Sequence, residues 1–206
     1  MVVIFVLRVA TSDNADDELM SSTTLPVSGI SLPGFNAPAA GFDQPFEMLG
    51  ACHERVERTL RLLQKLVDHV EKNGCDEQAR SAANDVLRYF DIAAPMHHDD
   101  EELHVFPLLL TQGDAALSAQ VHRMQADHVQ MAKLWSALRT LLKVVSDAGD
   151  SQVIIAQLRQ RAQAFCDVYA SHIETEERVL FPAAERLKSE DEIQRMGNDM
   201  RRRRTA

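Results

Sequence analysis

The chain repeats itself. Residues 97 to 107 read HHDDEELHVFP, and seventy-five positions later the run returns as HIETEERVLFP. His97 falls on His172, Glu101 on Glu176, Glu102 on Glu177, Phe106 on Phe181 and Pro107 on Pro182. Upstream, the same shift carries Phe90 onto Phe165 and His53 onto His128 without a gap. A period this long marks a duplicated structural unit, whose apolar face is buried against its own copy.

The unit is a helical hairpin. Phe46, Leu49, His53, Val56, Leu60, Leu63, Val67 and Val70 follow at three- and four-residue spacings and stop at Asn73-Gly74. That is one face of an amphipathic helix with a C-terminal stop. A second helix is predicted from about Asp76 to Leu110, ending near Gln112-Gly113. A third carries Val121, Met124, His128, Met131, Trp135, Leu138, Leu142 and Val145 and ends at Ala148-Gly149; a fourth runs from Ser151 through Leu187. Four apolar stripes joined by short connectors predict an all-α fold, an antiparallel up-down-up-down four-helix bundle built from two similar hairpins. An aromatic content of 5% and interiors rich in Leu, Ala, Glu, Gln and Arg point the same way.

The bundle is expected over residues 43–188. Residues 1–42 are rich in Ser, Thr, Pro, Gly and Ala after a first apolar decad and read as a flexible N-terminal extension, with Met20 as an alternative start. Residues 189–206 read as a C-terminal tail, its Arg201 to Arg204 run a disordered, solubilising end. A net charge of -9 excludes general nucleic-acid binding, which needs a basic surface. No segment approaches the roughly 20 apolar residues of a membrane span. MVVIFVLRVA has no basic residue ahead of its apolar run and is broken by Arg8, so it is not read as a signal peptide. Cys52, Cys75 and Cys166 are odd in number and show no CxxC spacing, which fits a soluble protein of the reducing cytoplasm.

Chemistry enters through residues that break the apolar pattern. His53 and His128 stand in the middle of otherwise apolar seams, where an imidazole needs a partner. For one such histidine a hydrogen bond to the core is explanation enough; two at repeat-equivalent positions share one level of one core. His97 with Glu101, and His172 with Glu176, are spaced i to i+4, which puts imidazole and carboxylate on one helix face. Each pair alone reads as a surface contact. Phe90 and Phe165 lie seven residues earlier on the same stripe, however, and so turn both pairs inward.

Six such groups suit iron, manganese, zinc or cobalt, and exceed what one tetrahedral zinc takes. Two metals about 3.5 to 4 Å apart, bridged by Glu101 and Glu176 with the histidines as terminal ligands, would use them all. The spacing does not assign which histidines share a metal.

The order His53, His97-x3-Glu101, His128, His172-x3-Glu176, with EE and FP after both pairs, resembles the hemerythrin-like (HHE cation-binding) family over about residues 43 to 188. The resemblance implies a non-haem di-iron centre, two iron ions held inside a four-helix bundle by His53, His97, Glu101, His128, His172 and Glu176. It also implies small partners such as O2, NO or H2O2. Roles in the family range from binding or sensing O2, NO and redox state to iron handling and removal of peroxide. Oxygen carriers of the family have one more histidine on the third helix, where this chain has Ala132. No nucleophile-base dyad, phosphate loop or organic-cofactor fingerprint accompanies the motif. A metal-binding or sensing module is therefore expected ahead of a di-iron oxidoreductase or a metal-free structural bundle.

Several neighbours qualify the set. His98 with Glu102 is an alternative to His97 with Glu101, disfavoured by the repeat. Glu101-x2-His104 resembles half of a ferritin-type motif, with no second copy. Tyr169, one turn before His172, reads as an ordinary core tyrosine or as a donor beside the metals; its repeat partner is Ala94. Pro95 is expected to kink the second helix and has Ala170 as its counterpart. Asp99, Asp100, Glu102, Glu174 and Glu177 are expected on the solvated backs of the ligand helices, His69 and His122 in solvent, and Cys52 in packing.

Overall fold

A computed structural model describes residues 41–205 of the 206-residue chain. The extension expected over 1–42 lies, but for its last two positions, outside the described residues. The elements run α1 (Pro45–Asn73), α2 (Glu77–Arg88), π1 (Tyr89–Ala93), α3 (Ala94–Asp100), π2 (Glu101–Val105), α4 (Phe106–Gln112), α5 (Ala115–Ser146), α6 (Ser151–Thr175), π3 (Glu176–Leu180), α7 (Phe181–Leu187) and α8 (Glu190–Thr205). The elements α2 through α4 form one continuous rod, as do α6 through α7. With α1 and α5 they make the four-helix bundle: α1 packs on α2, α2 on α5, α5 on α6, and α6 closes on α1. No described element is a strand.

Local sequence sets the joints. Gly74 follows α1 with a φ of 74°, a left-handed value that glycine adopts without a Cβ penalty. The side chains of Asp76, Asp114 and Asp150 cap the next three rods by accepting from Ala79 N, Leu117 N and Gln152 N.

Each π segment ends two residues before a proline, with Ala94-Pro95, Phe106-Pro107 and Phe181-Pro182 following directly. Proline lacks the N–H of the α-helical ladder, and its ring crowds the carbonyl four residues back. One widened turn absorbs the misfit. The N–H groups of Ala94, Phe106 and Phe181 accordingly bond the carbonyls of Tyr89, Glu101 and Glu176, five residues back. Pro95 therefore opens π1 within a continuous rod. Its counterpart in the repeat, Ala170, lies inside uninterrupted α6.

Two apolar clusters fill the interior. One, with Val56, Leu63, Phe90, Met131, Leu138, Phe165 and Tyr169, occupies the end near the α1–α2 turn. The other gathers Leu49, Phe106, Leu109, Met124, Leu180 and Phe181 with Met196 and Met200 of α8. Between them lies a layer of buried histidines and glutamates.

The expected C-terminal tail is instead a helix docked on the bundle. Ile193, Met196, Gly197 and Met200 make the contact stripe, and an ideal Cβ on Gly197 would sit 1.7 Å from the Phe42 carbonyl oxygen. Arg201 and Arg204 lie over the Phe42 ring at 5.4 and 5.7 Å. Arg203 and Arg204 grip both oxygens of Asp100, which is fully buried. The basic run is thus half of a buried ion pair, and Asp100 is not on a solvated surface. No helix among the described residues is long and apolar enough to cross a membrane.

Candidate metal centre

His53 comes from α1, His97 from α3, His128 from α5 and His172 from α6, while Glu101 and Glu176 are the first residues of π2 and π3. All six are buried, the two glutamates completely. Their ligand atoms form two groups whose members lie within 4.8 Å of one another: His53, His97, Glu101, Glu176 and Glu101, His128, His172, Glu176. The spacing of the sequence left the pairing of histidines open. The geometry pairs His53 with His97 and His128 with His172.

Both carboxylates reach both pairs. Glu101 Oε1 lies 3.1 Å from His97 Nε2 and 3.8 Å from His53 Nε2, while its Oε2 lies 3.4 Å from His128 Nε2. Glu176 turns Oε2 to His53 Nε2 at 3.3 Å and Oε1 to His172 Nε2 at 3.2 Å. Within the second pair, His128 Nε2 and His172 Nε2 face each other at 3.2 Å.

These contacts leave the layer unsatisfied. Both oxygens of Glu101, both of Glu176 and His53 Nε2 are buried without a hydrogen bond. An orphaned buried polar atom costs about 1–3 kcal/mol, more when charged. Five converging on one spot are more than a merely structural core ordinarily leaves unpaired, and their oxygen and nitrogen donors fit first-row cations.

Burial alone would hold the His53 imidazole down, yet Glu101 and Glu176 outweigh it and raise its pKa to about 10. His128 is likewise raised by Glu101 and Glu102 against the effect of burial. His97 is lowered by burial. Burial opposes ionisation of Glu101, but the surrounding imidazoles hold its carboxyl well below the ordinary range.

The next shell repeats the duplication. Glu102 Oε1 lies 3.0 Å from His128 Nδ1, and Glu177 Oε1 lies 3.0 Å from His53 Nδ1. Each accepts the Nδ1–H and so turns an Nε2 lone pair inward. Phe106 stacks on His128 at 5.6 Å and Phe181 on His53 at 5.3 Å between centroids. Glu177 is exposed, as expected of a solvated back, and Glu102 is half-buried, yet each also reaches a histidine, a contact that the equivalence of EE in both motifs signals. Asp99 and Glu174 are exposed, as expected.

His98 stacks on His128 at 4.1 Å with an interplanar angle of 17°, outside both ligand groups, and it does not pair with Glu102. His104 turns to Asp199 at 2.9 Å, which removes the ferritin-type alternative. Tyr169 is buried against Phe90, Phe165 and His98, and burial pushes its phenol pKa up. His122 is exposed, whereas His69 bonds Asp76 at 3.0 Å. Cys52 is buried in packing.

Comparison with known proteins agrees with this geometry. Residues 44–184 match the model of the hemerythrin HHE cation binding domain. A protein of Haemophilus influenzae, described only as uncharacterized, is 35% identical over 166 residues, covering 80% of this chain and 92% of that protein.

Proposed function

Because the chain belongs to the hemerythrin HHE cation-binding family, we propose that it is a di-iron protein that binds or responds to O2, NO or redox state. One iron would be held by His53 and His97, the other by His128 and His172, with Glu101 and Glu176 bridging. The observation that carries this reading is the split of both carboxylates, one oxygen toward each histidine pair. Two iron ions so placed would supply redox-active, ligand-accepting chemistry that none of the chain's own side chains provides.

The protein's part is to hold and orient. Glu102 and Glu177 fix the tautomers of His128 and His53, Phe106 and Phe181 cover those rings, and the glutamates offset the cation charge in an apolar interior. Ala132 contributes no ligand. Binding and response are favoured over turnover because, among the described residues, no acid-base pair stands beside the buried cluster beyond the ligand shell. A cytoplasmic setting fits the three free thiols.

The test is iron analysis of the full chain after anaerobic reconstitution, followed by optical spectra of the reduced protein exposed in turn to O2, NO and H2O2. Two irons per chain and slow oxidation are expected. Well under one iron per chain would overturn the metal reading. Rapid multiple turnovers with H2O2 or NO, lost in Glu101→Ala, would replace binding and response with oxidoreductase activity.

A further inference from the structure

Beside the His128–His172 pair the bundle leaves a cavity of about 290 Å³. Its walls are rings: Phe90, Phe165 and Trp135, mutually 4.9 to 5.6 Å apart between centroids. Two alanines, Ala94 and Ala132, leave the space, since their small side chains stand where larger ones would fill it. Two polar groups also line it, His98 and Tyr169, at 6.2 Å between ring centroids.

Tyr169 is 3% exposed. The hydroxyl of Tyr89 donates to the Cys52 carbonyl at 3.3 Å, whereas that of Tyr169 has no partner among the described residues. A phenol buried to this degree ordinarily finds one. An unpaired donor against an apolar cavity is the arrangement of a site that orients a ligand by one polar contact.

We propose that this cavity is a binding site for a neutral, single-ring aromatic molecule bearing one hydroxyl, its ring against Phe90, Trp135 and Phe165 and its hydroxyl bonded to Tyr169 and His98. Size supports a ring with a substituent, because an apolar cavity of about 150 Å³ already takes benzene. Charge supports neutrality. Exposed Asp99 on the lining opposes an anion, no lysine or arginine lines the cavity, and cations bound at the adjacent histidines would repel an organic cation. The ring and hydroxyl contacts require only that the bundle be folded, whereas the exclusion of organic cations rests on the metal reading proposed above.

Trp135 is the one tryptophan of the chain and forms a wall, so its emission reports occupancy directly. Phenol is titrated into the full chain, both iron-loaded and chelator-treated, with toluene, benzoate and tetramethylammonium as comparisons. Saturable change with phenol is expected in both forms, with toluene and benzoate at least about tenfold weaker in both and tetramethylammonium at least about tenfold weaker in the iron-loaded form. Tyr169→Phe should weaken phenol about tenfold and leave toluene unchanged, the signature of one lost hydrogen bond. Ala132→Phe should abolish saturation while circular dichroism stays helical. A linear, unsaturable response to phenol overturns the site. Toluene binding as tightly as phenol, or Tyr169→Phe without effect, overturns the polar contact, and tighter binding of benzoate or tetramethylammonium overturns the neutral ligand. Failure of the chain to take up iron, with phenol binding retained, would count against the metal reading alone.

Discussion

The two histidine pairs are built from matching parts and set in unlike surroundings. Around His53 and around His128 the same devices recur: a shared glutamate oxygen, a carboxylate at 3.0 Å on Nδ1, and a stacked phenylalanine. Beyond that shell the copies part. The repeat sets Ile173 against His98, Leu60 against Trp135 and Glu57 against Ala132, so His98, Trp135 and Ala132 line the cavity beside the His128 pair. It also sets Gly50 against Gln125, and Gln125 Nε2 donates to Glu102 Oε2 at 2.8 Å. Asp127 stands where the first copy has Cys52 and lies 3.6 Å from His172 Nδ1, a carboxylate neighbour that His97 Nδ1 lacks, although neither Nδ1 is hydrogen-bonded. Duplication has thus preserved what touches the ligand atoms, while divergence has made one side the better braced and the more open.

The largest effect should come from the parts the two sides share. Glu101→Ala and Glu176→Ala each remove a carboxylate that reaches both pairs, so either should reduce bound iron from two to below one per chain. Mass spectrometry of the native chain or iron analysis reads this. If one variant kept a full iron while the other lost both, the bridges would be unequal and the symmetry of the inner layer would fail.

A second break tests a feature only one copy has. Asp100 is buried and held by Arg203 and Arg204, whereas its repeat counterpart is Thr175. Removing both arginines strands a buried carboxylate next to Glu101, at a cost of about 3–5 kcal/mol. Urea unfolding of the double variant Arg203→Ala, Arg204→Ala should show a large drop in midpoint. Thr175→Ala, the matched position, should leave it within about 0.5 kcal/mol of the parent.

Much of this was legible in the sequence, and the failures share a cause. The seams of α1 and α5, the stops at Asn73-Gly74 and Gln112-Gly113, and the inward stripe from Phe90 to Glu101 follow from helical period and were predicted as such. The helix α8 escaped because its stripe of Ile193, Met196 and Met200 is short and embedded in charge. Its partner Asp100 lies a hundred residues away, a pairing that no local pattern encodes. The π segments escaped for a different reason: proline predicts disturbance but does not say whether a helix kinks or widens. The contacts of Glu102 and Glu177 with the histidines escaped with them, because the widened turns begin beside these residues.

The carboxylates on Nδ1 offer a sharper comparison. Glu102→Gln and Glu177→Gln each replace a charged acceptor behind one histidine, and loss of such a partner costs about 10- to 100-fold in metal affinity. Glu102 is additionally fixed by Gln125, and Glu177 is the more exposed. The loss should therefore be greater for Glu102→Gln, and confined to one of the two irons in competition with a graded chelator. Equal losses at both sites would mean that the bracing on the His128 side has no energetic consequence.

Proton release gives the smallest and most specific contrast, since each pair holds one imidazole whose pKa is raised. His53 is raised to about 10, and His128 is raised as well, while His97 is lowered. A raised folded value stabilises the metal-free chain below the unfolded value of about 6.5, and that stability is lost as pH rises through about 10. Metal binding has the opposite sign, because only the neutral imidazole is a ligand and its proton must leave. Between about pH 6.5 and 7.5, iron(II) affinity should rise about tenfold per unit for each proton expelled. Chelator competition at the two pH values measures the slope. His53→Ala should remove the proton belonging to the first pair, and Glu177→Gln should diminish it by loosening the same imidazole. A flat affinity in the parent chain would show that His53 and His128 are both already neutral there, whereas a slope of one proton would show that the two pairs are not electrostatically equivalent.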